Sequence, residues 1–314
     1  MTGGAGYIGG HVVAALRERG DEIVVVDDLS AGRAERIPGV RLEQIDLAAP
    51  DAARALTDVL RDAEVDGVIH LAARKRVDES VERPLWYHEQ NGGGTLAVLE
   101  AATAAGVGRV VFSSTAAVYA SSDEPVTEDS PTVPANPYGE TKLTGEWMLR
   151  AQAATGALRG VSLRYFNVAG TASPELADAK GGNVVPMVLD RIEAGEAPRV
   201  FGDDYPTRDG TCVRDYIHVA DVASAHLAAL DALTAGPAYR VYNIGTGTGT
   251  SVRELVGALL EVAGSSLEPI VEPRRAGDPA VVVADASRIS AELGWRPQHD
   301  LADIVESAWR ARRA

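Results

Sequence analysis

The chain opens on Thr2-Gly3-Gly4-Ala5-Gly6-Tyr7-Ile8-Gly9-Gly10, in which glycines recur at positions 3, 6 and 9. Directly behind them Val12, Val13 and Leu16 follow helical spacing up to Gly20, and Glu22 to Asp27 is an apolar run ending in a carboxylate. A glycine turn, a helix and a strand in that order form part of a βαβ unit, in which the tight turn lets the backbone approach a pyrophosphate at the helix N-terminus. Asp27, about 20 residues beyond the glycines, stands where a carboxylate takes an adenine-ribose hydroxyl and repels a 2′-phosphate. The pattern predicts NAD rather than NADP. A glycine-rich loop followed by a capping aspartate would carry the same letters, so the rest of the chain has to decide.

In such a unit an apolar strand precedes the turn, whereas this sequence starts one residue before Thr2. The expectation is a truncated first strand, produced by reading a GTG valine codon inside it as the initiator Met1. In-frame codons for about five apolar residues, the usual strand length, should then lie just upstream.

Downstream, Val40 to Ile45, Gly67 to Leu71, Arg109 to Ser113 and Val161 to Tyr165 have strand length and apolar character. They alternate with helical stretches at Ala52 to Leu60, Leu85 to Ala105 and Tyr138 to Ala154. Strands alternating with helices specify an α/β fold, here a Rossmann-type doubly wound parallel sheet covered on both faces. Ligands in these sheets sit at the carboxyl ends of the strands. That rule gathers Asp27, Asp46, Leu71 to Lys75, Ser113 to Thr115 and Tyr165 to Asn167 on one rim. After Gly170, Pro, Gly and Asn punctuate shorter elements, which predicts a smaller C-terminal substrate domain. Residues 1–170 with about 213–245 form the dinucleotide domain in this reading, and 171–212 with 246–314 the second, closing over the rim.

A net charge of −15 and a sequence pI near 4.9 argue against nucleic acid or an anionic membrane as partner, since both need a basic face. One cysteine, Cys212, permits no internal disulfide and has no general base beside it in sequence, and no histidine cluster has metal-ligand spacing. No metal is expected, and a cytoplasmic enzyme fits best.

Pro137-Tyr138-Gly139-Glu140-Thr141-Lys142 sets a phenol and an amine four residues apart at a helix start, on one helix face. A tyrosine is a poor base at neutral pH, but a nearby ammonium and a bound nicotinamide cation both favour its phenolate. Tyr138 is thus a candidate proton acceptor and Lys142 its tuner. Alone, the same spacing also describes an amphipathic helix with a surface lysine.

These segments together carry a resemblance. Thr2 to Gly9, Leu71-Ala72-Ala73-Arg74-Lys75, Phe112-Ser113-Ser114-Thr115, Tyr138 with Lys142 and Leu163-Arg164-Tyr165-Phe166-Asn167 resemble the extended short-chain dehydrogenase/reductases, the NAD-dependent epimerase/dehydratase family. Phe201-Gly202-Asp203-Asp204-Tyr205-Pro206-Thr207, Val213-Arg214-Asp215-Tyr216-Ile217-His218-Val219 and Arg274-Arg275-Ala276-Gly277-Asp278 extend the likeness over essentially the whole chain. The resemblance implies NAD contacts at Tyr7, Ile8, Asp27, Asp28, Leu29, Ser30, Ala31, Gly32, Asp46, Leu47, Leu71, Ala72, Ala73, Arg74, Lys75, Asn91 and Phe166, beside Gly3, Gly6 and Gly9. It implies a nucleotide sugar at Asn167, Asn183, Val184, Arg199, Val200, Phe201, Arg214 and the Arg275 to Asp278 segment. It also implies catalysis by Tyr138, Lys142 and Thr115: a UDP-hexose is oxidised at C4, turns over as a 4-keto sugar and is reduced on its other face, exchanging galactose and glucose nucleotides. Arginines such as Arg214 and Arg275 fork well onto a diphosphate.

Departures matter too. Gly10 and Thr115 stand where serine is common in the family, and Val282 occupies a sugar-pocket position that is tyrosine in some members. A smaller residue there should admit N-acetylated sugars. A 4,6-dehydratase would need an acid pair beside Thr115, where the chain has Ala116-Ala117. A UDP-N-acetylglucosamine or UDP-glucuronate epimerase remains an alternative, as does a dinucleotide-binding protein that has lost catalysis with its first strand. Excess alanine and leucine on Leu85 to Ala105 and Tyr138 to Ala154 predicts a homodimer.

Overall fold

Thr2 holds the place that lacks a strand in the sequence. It pairs in parallel with Val26 on one side and His70 on the other. Its amide donates to Ile69 O at 2.9 Å, and Leu71 and Gly3 amides continue the two ladders to Thr2 O and Val26 O. The computed structural model describes residues 1–314 apart from Ser121, Asp123, 179–181, Ala276 and Gly277. It divides into two units, Met1–Ala120 with Pro131–Tyr165 and Ala223–Tyr242, and Ser121–Ser130 with Phe166–Val222 and Asn243–Ala314.

In the first unit the strands lie in the order Arg41–Gln44, Val24–Asp27, Thr2, Val68–His70, Arg109–Thr115, Arg159–Tyr165 and Tyr239–Ile244. The pairings read through the first six are parallel. Strand order reverses about Thr2, which makes the glycine turn behind it the topological switch point where such sheets bind ligands. The helices Ala52–Asp62, Gly94–Ala105 and Pro137–Ala154 press Leu56, Leu60, Val98 and Leu149 onto Val110 and Phe112. Leu56 and Leu149 are fully buried, and each such side chain contributes about 2 kcal/mol by leaving water.

The helix expected over Leu85 to Ala105 runs unbroken from Pro84 to Ala105 but changes its hydrogen-bond pattern inside. It is built from Pro84–Tyr87, a π-helical turn at His88–Gly93 and Gly94–Ala105. The turn is held open by Asn91, whose amide group donates to Arg74 O and Thr141 Oγ1, both at 3.0 Å. Such turns often mark functional positions.

In the second unit Val213–His218 is the central strand. It pairs in parallel with Asn167–Ala169 and Val281–Val282, and antiparallel with Gly249–Ser251. The first unit takes in Ala223–Tyr242 of the stretch 213–245 assigned to the dinucleotide domain, whereas the described partners of Val213–His218 all lie beyond residue 165. Leu255, Leu259, Ile304 and Leu189, from Val252–Val262, Leu301–Arg313 and Val184–Glu193, form its core.

Candidate active site

The glycine turn is shaped by close approach. Gly3 has a left-handed backbone (φ 72°), and a Cβ there would stand 2.5 Å from Ala72 N; at Gly9 it would stand 2.1 Å from Gly3 O. Neither position tolerates a side chain. Gly6 caps the helix Tyr7–Arg19 without any side-chain hydrogen bond, and its first turn carries no acid. Its N–H groups and the positive end of the helix dipole are therefore left for an anion. Asp27 is buried, with Oδ2 accepting from Ala5 N at 3.0 Å and Oδ1 from Leu29 N at 2.9 Å. Burial raises its pKa, against the pull of those two amides. The carboxylate thus ties the turn to the loop behind its own strand, and the cradle fits a pyrophosphate with an adjoining ribose.

Around it, Asp28 and Ser30 bind Arg74. Ile8, Leu29, Leu71, Ala72 and Ala73 are half-buried, and a Cβ on Gly32 would lie 2.8 Å from Asp27 Oδ1. Tyr7 is buried against His11 in an edge-to-face contact. Asp46 caps its own loop through Ala48 N at 2.9 Å. Leu47 sends its side chain into the core, leaving its backbone for any ligand, while Lys75 and Ala31 are exposed.

The catalytic candidates sit at the next two strand ends. Asn136 starts the helix Pro137–Ala154 by accepting from Gly139 N at 2.9 Å. Gly139 lets that helix touch the turn after Thr115, since a Cβ there would lie 2.4 Å from Ala117 O. The half-buried Tyr138 is thereby brought near the Thr115 hydroxyl. Burial raises the phenol's pKa and the neighbouring Thr115 hydroxyl partly offsets it. Lys142 lies one turn further along the same helix. Its Nζ donates to Ser113 O at 2.8 Å and lies 5.1 Å from the centre of the Phe112 ring, and burial lowers its pKa to about 7.

One turn on, Glu146 forms a buried two-pronged pair with Arg164 at 2.8 and 2.6 Å and accepts from Ser114 Oγ at 2.5 Å. Its carboxylate locks the helix to the strand segment Ser113 to Thr115, which both catalytic candidates touch. Sequence reading passed over Glu146, although its spacing of four from Lys142 was a signal. Histidines serve packing here: His226 Nε2 meets Tyr165 Oη at 2.7 Å, and His218 stacks on His299 at 4.3 Å. Cys212 is buried. Among the described residues no cluster of His, Cys, Asp or Glu could hold a metal, and no helix is long and apolar enough to cross a membrane.

In the second unit, Arg214 Nη2 lies 3.8 Å from Asp278 Oδ1, and Val282 pairs in register with Arg214. The Arg275 guanidinium lies 3.9 Å above the Phe201 ring. Those five expected substrate residues are brought together in two adjoining sets, with Val200 buried beneath. Arg199 instead pairs with Glu272 at 3.3 Å, and Asn183, which caps the helix Val184–Glu193, donates to Asp178 at 2.7 Å. Phe166 is buried beside the half-buried Asn167, which opens the strand Asn167–Ala169. Ala276 and Gly277, in the expected nucleotide segment, lie outside the described residues.

A dinucleotide turn with a tyrosine, a threonine hydroxyl and a buried lysine at the neighbouring strand ends defines an NAD-dependent enzyme working on an alcohol. The model of the NAD dependent epimerase/dehydratase family matches residues 1–245, and the chain belongs to that family. It is 48% identical over 321 residues to a UDP-glucose 4-epimerase of Azospirillum brasilense, covering 98% of this chain and 90% of that one. A crystal structure of the Stenotrophomonas maltophila UDP-glucose-4-epimerase with bound NAD and formylated UDP-arabinopyranose superposes with a TM-score of 0.93 at 41% identity, covering 99% and 96% of the two chains. The UDP-Glc/GlcNAc 4-epimerase of Campylobacter jejuni does so with a TM-score of 0.85 at 37% identity, covering 99% and 98%.

Proposed function

We propose that the chain interconverts UDP-galactose and UDP-glucose, inverting C4 of the hexose through a 4-keto sugar. The observation that carries this reading is the Thr115–Tyr138 hydroxyl pair at the strand ends beside the dinucleotide turn. Tyr138 takes the proton of the sugar 4-hydroxyl, and Thr115 hydrogen-bonds the same oxygen. Lys142, anchored on Ser113 O, holds its amine at the end of that strand, and Glu146 keeps strand and helix in register. NAD, when bound, accepts the C4 hydride and returns it, and its cationic ring adds the positive charge that favours the Tyr138 phenolate. Arg214 and Arg275 grip the diphosphate while Phe201 faces the nucleotide. Gripping the nucleotide and not the hexose leaves the keto sugar free to turn over, which inversion requires.

The acidic chain with its single cysteine suits a cytoplasmic setting, where NAD and UDP-sugars are found. Two copies are proposed to pair through the face bearing Leu85, Leu96 and Trp147, which are 83%, 48% and 51% exposed. Apolar side chains that open to water on neighbouring helices favour burial against a mate. Sedimentation of the purified protein should give a dimer. Incubation with UDP-galactose should give UDP-glucose with no net consumption of NAD; formation of a 4-keto-6-deoxy sugar or of a uronate product would reject the reading.

A further inference from the structure

We propose that Arg74 and Asp28 form a clasp across the mouth of the dinucleotide crevice, and that this clasp retains bound NAD. The inference rests on the cofactor reading above and adds a role for side chains to it. Thr2 lies between Val26 and His70 in the sheet, so the loops leaving those two strands flank the glycine turn. Neighbouring strands are about 4.8 Å apart, which starts the two loops about 10 Å from each other with the turn between them. Asp28 and Ser30 belong to one loop and Arg74 to the other. Arg74 Nη2 donates to Asp28 Oδ2 at 2.7 Å, and Nη1 donates to Ser30 Oγ, which itself donates to Asp28 Oδ1 at 2.6 Å. A contact joining those loops has to pass over the turn.

The guanidinium is also held from its far side. Nε and Nη2 donate to Gln90 Oε1 at 3.2 and 3.0 Å, and the group lies 5.4 Å from the centre of the Trp86 ring. Asn91 fixes the Arg74 backbone in both directions, accepting from its amide at 2.7 Å and donating to its carbonyl at 3.0 Å. All three guanidinium nitrogens therefore have protein acceptors, and a cofactor phosphate could take only the one remaining Nη1 hydrogen without displacing them. Burial would raise the Asp28 carboxyl, but the Ser30 hydroxyl and amide and the Arg74 guanidinium hold it below its usual range. The far anchor is equally fixed. Leu29, between Asp28 and Ser30, is held in the left-handed region (φ 58°), where leucine is rare, by donating its amide to Asp27. One loop thus carries both the ribose carboxylate and the catch of the clasp.

The test is the rate at which purified holoenzyme releases labelled NAD into an excess of unlabelled NAD. Arg74→Leu and Asp28→Asn should each speed release on the order of 5- to 10-fold, as expected for a partly buried pair, and the double variant no more than the singles. Release from the wild type should quicken with added NaCl and that from the variants should not. Ser30→Ala, which removes a neutral partner, should quicken release less and provides a reading if a charge variant fails to fold. Faster release from Arg74→Leu with unchanged or slower release from Asp28→Asn would overturn the clasp, because Arg74 would then bind a phosphate directly. Unchanged release from both would overturn it as well. A wild-type protein that holds no NAD at all would reject the cofactor reading itself, and the clasp with it.

Discussion

Replacing Lys142 by methionine should make the cofactor-free protein more stable at neutral pH, and by an amount that shrinks as pH rises. Lys142 is 4% exposed, and burial brings its pKa from the ordinary 10.5 to about 7. Between those values the unfolded chain keeps the proton while the folded chain gives it up. Stability therefore rises with pH through that window, and the full penalty applies below pH 7. At about 1.4 kcal/mol per pH unit, the penalty is roughly 4–5 kcal/mol at pH 7 and roughly 2 kcal/mol at pH 9. Methionine removes this penalty and gives up the hydrogen bond to Ser113 O, worth about 1 kcal/mol. The variant should thus gain about 3 kcal/mol at pH 7 and about 1 kcal/mol at pH 9. Urea unfolding of both proteins at the two pH values reads the difference directly, since other titrating groups are common to both. A variant less stable than the wild type at pH 7, or a gain that does not change with pH, refutes the reasoning.

Glu146→Ala leaves the Arg164 charge buried without its partner and should cost about 3–5 kcal/mol in urea unfolding, with Arg164→Met in the same chain restoring more than half. Gly9→Ala forces a methyl to within 2.1 Å of Gly3 O; a loss of about 3 kcal/mol or more and the loss of NAD binding by calorimetry are expected, because backbone cannot yield there. Val282→Tyr should lower turnover of UDP-N-acetylglucosamine relative to UDP-glucose at least severalfold, as filling a pocket discriminates one added group by about 1–3 kcal/mol. Equal ratios in the two proteins would count against a sugar pocket at Val282.

The legible parts of this fold are local. The strands Arg109–Thr115 and Arg159–Tyr165 are legible because apolar runs of strand length announce themselves, and the glycine turn with Asp27 because its steric demands admit few other residues. Val213–His218 looks like the same kind of strand, yet which sheet it joins depends on partners at 167–169, 249–251 and 281–282 that no local pattern reveals. The π-helical turn at His88–Gly93 escaped for a related reason. It is held by Asn91 reaching Arg74 and Thr141, 17 and 50 residues away. Spacing put Lys142 on the face of Tyr138 correctly, but spacing fixes the Cβ and not the amine, which follows the Ser113 carbonyl. Glu146 is buried. Its burial follows from Arg164 on the next strand, so only the folded structure exposes its part in holding Thr115 and Tyr138 together.

The account stands most directly on the phenol of Tyr138. Comparing the conversion of UDP-galactose to UDP-glucose by the wild type and Tyr138→Phe, each purified with NAD bound, isolates one hydroxyl group. A loss on the order of 100-fold or more in kcat is predicted, the usual contribution of a positioned base, with NAD still bound because its cradle is built elsewhere. Conversion by the phenylalanine variant at the wild-type rate would contradict the account.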